Sequence, residues 1–143
     1  MEAPASPIKT LRENNSGFGR ALYQQFGDLG WLGILVNEEA GGLGMDLNAM
    51  SVVAHQAGRQ ALPEPLLEVA VLSASVINQF TVESRLAKEI AGKIVSGESI
   101  VITAAETYRA GGVKELATAT LDEDGVSLTG KLKAVPHASD ADF

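Results

Sequence analysis

LGWLGILVNEEAGGLG, residues 29–44, sets an apolar run around the sole tryptophan, Trp31, against a glycine cluster that neither a regular helix nor a strand would choose. Residues 31–36 are too few for a helix and too apolar for a surface loop. They should cross the core in irregular or extended form, with Trp31 filling it. Glu38-Glu39-Ala40-Gly41-Gly42-Leu43-Gly44 then turns the chain sharply. A phosphate cradle would need a Lys-Ser/Thr pair after the glycines, and Met45-Asp46 stands there instead, so a plain structural turn is the better reading.

Upstream, Phe18, Ala21, Leu22, Phe26 and Leu29 recur at helical spacing, with Ser16 as N-cap and Gly30 as stop. Pro4, Pro7 and the polar run 13–16 before it favour a loosely ordered arm. Downstream, Asp46 or Asn48 caps a second helix reaching about Gln60, with Met50, Val53, Ala54 and Ala57 on one face. His55 lies on it with no partner at metal-ligand spacing. Pro63-Glu64-Pro65 breaks the chain before a third helix over residues 65–80, whose few charges imply burial on most sides. A fourth helix over 83–95 places Leu86, Ile90 and Ile94 inward, with Gly97 as its stop.

The period then changes. Residues 99–105, SIVITAA, are β-branched and suit a strand, and residues 114–122 and 125–135 alternate as two more, joined through Asp124-Gly125 in a hairpin. The fold class is therefore α+β. Helices to about residue 98 precede a β part from residue 99. Strand edges left open in this way predict association or disorder beyond about residue 99.

Composition narrows the function classes. Eighteen acidic against 11 basic residues, a net charge of -7, argue against a nucleic-acid binder, which would show a basic face. There are no cysteines, hence no disulfide framework, thiolate zinc site or thiol nucleophile. Neither a secretory leader nor a membrane-spanning run is legible, since the apolar stretch 66–80 is short and interrupted by Glu68 and Asn78. The expected setting is cytoplasmic. Both acidic clusters, Glu38-Glu39 and Asp122-Glu123-Asp124, fall in predicted turns where solvated charge is the default.

Taken together, LGWLGILVNEEAGGLGMD, the helices after it, Val95-Ser96-Gly97-Glu98 before a strand, Leu128-Thr129-Gly130 and Ala141-Asp142 resemble an acyl-CoA dehydrogenase. In that family the first pattern usually reads LGxLGLxVPEExGGxG, and Asn37 stands where proline is usual. The spacing from Gly130 through Lys133, Val135, Pro136 and Ala138 to Ala141-Asp142 is similar to bacterial members acting on steroid or other bulky CoA thioesters.

The resemblance implies FAD as cofactor, an acyl-CoA substrate, α,β-dehydrogenation of the thioester and assembly into a homo- or hetero-oligomer. It also implies three domains, helical, β and helical, so that 1–98 would be the N-terminal helical bundle domain and 99–143 the first strands of a truncated β-barrel-like middle domain. The family's catalytic glutamate comes from the third, so no residue of this chain is assigned to catalysis. The chain then reads as an inactive fragment of such an enzyme; a non-catalytic partner subunit and a helical interaction module are the alternatives. Flavin contacts would come from the family's Thr-Glu-Pro strand, which aligns with Ala105-Glu106-Thr107, and from its Trp-Ile-Thr pattern, which aligns with Ala134-Val135-Pro136. The residues implied are Ala104 and Ala105, through backbone donors, and Ala134 and Pro136.

Overall fold

The computed structural model describes residues 17–104, 117–122, 125–130 and 135–143. The predicted arm and its Ser16 cap lie outside these, as do the predicted strand ends at 114–116 and 131–134 and the turn residues Glu123-Asp124. The described chain is a bundle of helices, α1 (Arg20–Asp28), α2 (Leu47–Arg59), α3 (Ala74–Asn78) and α4 (Arg85–Val95), followed by strands β1 (Ala117–Asp122) and β2 (Gly125–Gly130). A 3-10 turn, Glu38–Ala40, and a π-helical segment, Glu68–Ser73, complete it. This is the expected α+β class, a helical bundle followed by an antiparallel pair.

Local chemistry accounts for the helix ends. Asp46 caps α2 by accepting the Ala49 N–H at 3.0 Å, and this bond, joined by one from the Asn48 side chain, holds its carboxyl below the usual carboxylate range. Ser84 caps α4 by accepting from Ala87 N–H. α1 has Gly19 at its N-cap and no side-chain cap of its own. The core gathers Tyr23 and Phe26 of α1, Leu32, Ile34 and Val36 of the pivot, Met50 of α2, Val69 and Ala70 of the π segment, and Ile94 and Ile100. Trp31 does not fill that core. It is half-buried at its edge, stacked on Phe26 with ring centroids 5.2 Å apart.

The pivot 29–44 is irregular, as its composition requires, and its polar accounting explains the glycines. Burying Leu32, Ile34 and Val36 without helix or strand leaves carbonyls that need partners. The returning chain supplies them: Leu43, Gly44 and Met45 N–H donate to the carbonyls of Gly33, Val36 and Ile34 at 2.8–2.9 Å. Gly41, at φ 88°, makes the reversal, and a methyl group at Gly42 would run into the Val36 carbonyl.

Three expectations are corrected. α4 turns Ala87, Ala91 and Ile94 into the bundle and leaves Leu86 62% exposed, because alanines let the helix approach its neighbours closely. The helix expected over 65–80 contains the π turn, in which the Ser73 hydroxyl donates to the Glu68 carbonyl at 3.0 Å. Residues 99–104 form no strand, because the C-terminal segment offers them only a few bonds, among them Ile102 N–H to Phe143 O and Asp142 N–H to Ile100 O. Among the described residues the sheet therefore has two strands, not three, paired from Ala117 opposite Gly130 to Asp122 opposite Gly125.

Candidate functional site

Polar contacts tie the chain after α4 back onto the bundle. Tyr23 donates its hydroxyl to the Ser99 carbonyl at 3.2 Å, and burial pushes its phenol pKa up. Arg20 straddles the Asp142 carboxylate at 3.0 and 3.1 Å and also donates to the Asp140 carbonyl, while Asp142 accepts the Ile100 N–H at 2.8 Å. Hydrogen bonding from Arg20, then from Ile100, holds the Asp142 carboxyl below its ordinary range, and the same pairing raises Arg20. The 135–143 segment is thereby anchored on α1 and on Ile100.

A second anchor is Ser73. Besides donating to Glu68 O, its hydroxyl accepts from the Thr103 N–H at 3.0 Å and from the Thr103 hydroxyl at 3.1 Å. Ser73 is buried, so the π turn fixes the chain immediately before Ala104. Ala104 itself is exposed and makes no hydrogen bond with a described residue. Pro136 is exposed in the turn that opens the C-terminal segment. Ala105 and Ala134 lie outside the described residues.

A third polar knot holds the pivot. The Asn78 side chain, at the end of α3, accepts the Asn37 N–H at 3.1 Å and donates to the Leu35 carbonyl at 2.7 Å. Asn37 in turn donates from its side chain to the Thr81 hydroxyl at 3.1 Å. The pivot's Glu38 and Glu39 are solvent-exposed, as expected. His55 is also exposed, and no group of His, Cys, Asp or Glu among the described residues is placed to hold a metal.

A cleft of about 240 Å³ opens between the C-terminal half of α2, the linker before the π segment and His137. Its walls are Ala54, Ala57, Gly58, Ala61, Leu62, Pro63, Glu64, Leu66, Leu67, Glu68 and His137. Glu64 is only 6% exposed; its Oε1 accepts the Gly19 N–H at 3.3 Å, capping α1 from a distance, and its Oε2 is buried without a hydrogen-bond partner among the described residues. Ala61 and His137 both hold positive φ, 49° and 54°, and His137 packs edge-on against Phe18 at 5.7 Å. Sequence reasoning missed Glu64 and His137. Pro63-Glu64-Pro65 carries only a linker signal, and nothing local to either residue shows that the fold brings them to one cleft.

No helix of the described residues is long and apolar enough to cross a membrane. No curated protein and no solved structure matches the chain. A family match is found: residues 2–98 fit the acyl-CoA dehydrogenase N-terminal domain. That span takes in α1, the pivot, α2, the π segment, α3 and α4, the same elements that carry the core. The chain belongs to the acyl-CoA dehydrogenase family and carries its N-terminal domain.

Proposed function

We propose that this chain is the N-terminal part of an FAD-dependent enzyme that introduces a double bond between Cα and Cβ of an acyl-CoA thioester. The observation that carries it is the family match over the helical bundle, 2–98. Residues 1–98 act as the helical domain and 99–143 open a β domain. Bound FAD supplies the acceptor for the β hydride.

The chain's own contribution is positioning. Ser73 anchors Thr103, so that Ala104, an exposed residue, is held for a backbone contact to the flavin, and the family alignment adds Ala105 to it. Ala104 offers a backbone N–H that no described residue takes up, which fits a flavin acceptor atom and supplies no side-chain hydroxyl. Pro136, on a segment secured through Asp142 and Arg20, forms the second contact, and the family alignment adds Ala134 to it. No carboxylate of this chain is assigned as the base: in the family the catalytic glutamate comes from the third domain, and a base needs hydrogen-bond reach of its proton. The chain alone is therefore inactive, and the base comes from elsewhere in a cytoplasmic homo- or hetero-oligomer. The Gly130-to-Asp142 spacing favours a steroid or similarly bulky CoA thioester as substrate.

The absorption spectrum of the purified full-length gene product tests this. A flavin band is expected, either in that product or once a second subunit is co-expressed. A colourless product in both preparations overturns it and leaves a helical interaction module.

A further inference from the structure

We infer that the cleft beside Glu64 binds an aliphatic primary ammonium, the cation meeting the Glu64 carboxylate and its stem lying along the apolar walls. This goes beyond the flavoenzyme reading and stands without it. A carboxylate oxygen enclosed without a partner is costly, and Glu64 Oε2 is so enclosed in a side chain more than nine-tenths buried. Its other oxygen holds the Gly19 N–H, so the side chain is tethered while the terminal carboxylate torsion stays soft. Glu64 is itself one of the wall residues of the cleft.

The walls select the ligand. Glu64 and Glu68 are acidic and no lysine or arginine among the described residues lines the cleft, so a cation is favoured over an anion. Leu62, Leu66 and Leu67 provide apolar surface for a short stem. A volume of about 240 Å³ matches roughly eight waters at about 30 Å³ each, room for a head and a few methylenes. A free alkylamine and a lysine side chain of another molecule share this chemistry.

Titrations of the full chain followed by amide chemical shifts distinguish them, with n-butylammonium, Nα-acetyl-lysine methylamide and n-butanol as probes. Either cation should shift the amides of Leu62, Glu68 and His137. Tighter binding of butylammonium identifies a free amine as the ligand; tighter binding of the lysine derivative identifies a side chain. Glu64→Gln keeps an oxygen for the Gly19 N–H and should weaken the cation at least tenfold with the melting temperature little changed. Butanol binding as tightly as butylammonium, unchanged affinity in Glu64→Gln, or no shift with any probe overturns the proposal. Should Glu64→Gln fail to fold, the parent chain decides: butylammonium binding at least tenfold tighter than butanol, with the Glu64 amide among those shifted, upholds the site, and no preference for the cation refutes it.

Discussion

Asn37 stands where the family's usual pattern has proline, which makes Asn37→Pro an informative perturbation. The backbone there already has φ −57° and ψ 143°, angles a proline adopts without strain. On entropy alone the substitution should stabilise by about 0.4–1 kcal/mol. It also deletes the N–H given to Asn78 and the side-chain bond to Thr81. Two partly buried bonds at about 1 kcal/mol each outweigh the entropic gain, for a net loss of about 1 kcal/mol. Asn78→Ala strands the Asn37 N–H and the Leu35 carbonyl together, a loss of about 2–3 kcal/mol. At roughly 3 °C per kcal/mol for a chain of this size, the melting temperature falls by about 3 °C and about 6–9 °C respectively. Because the variants share a bond, the double variant should lose about 1 kcal/mol less than the sum of the two. Thermal melts followed by circular dichroism measure all three. A higher melting temperature for Asn37→Pro, equal in both Asn78 backgrounds, would falsify the claim that this knot holds the pivot.

Gly42→Ala places a methyl against the Val36 carbonyl and should destabilise by about 2–3 kcal/mol, read as a lower urea midpoint at unchanged slope; an unaltered midpoint contradicts the close approach. Ser73→Ala removes the acceptor of the Thr103 N–H and should cost about 1–2 kcal/mol, with faster amide exchange at Thr103 than at Ile94; equal protection at Thr103 refutes the anchor. Asp142 has its folded pKa below the unfolded value, so its stabilisation is present above about pH 4 and is lost as pH falls through the folded value. The protection factor at Ile100, measured against intrinsic exchange at the same pH, should therefore fall in acid, and Asp142→Asn should show that fall already at pH 7; no difference between variant and parent at pH 7 counts against the junction.

Much of the helical part was legible because its signals are local. A cap at Asp46 or Asn48, the inward Met50, the turn at Leu29-Gly30 and the antiparallel pairing of 117–122 with 125–130 each depend on a few neighbouring residues. The choice of face on α4 was not local. Leu86, Ile90 and Ile94 satisfy the helical period as well as Ala87, Ala91 and Ile94, and only the closeness of the neighbouring elements selects the alanines. Residues 99–104 have strand composition, yet a strand needs a partner along its length, and the chain gives them only the few residues around Asp142. The candidate site was the least legible. Glu64 becomes buried through Gly19, 45 positions earlier, and His137 reaches the cleft through a segment held by Arg20. The family resemblance, by contrast, rested on the pivot, and the match over 2–98 includes it.

The most direct measurement of the central claim is an anaerobic titration of the purified full-length gene product, with its partner subunit if one co-purifies, against a panel of acyl-CoA thioesters. The account predicts a flavin absorption band that bleaches as the thioester is oxidised, with a bulky acyl group the most effective. A flavin-free product, or a bound flavin that no acyl-CoA reduces, would contradict it.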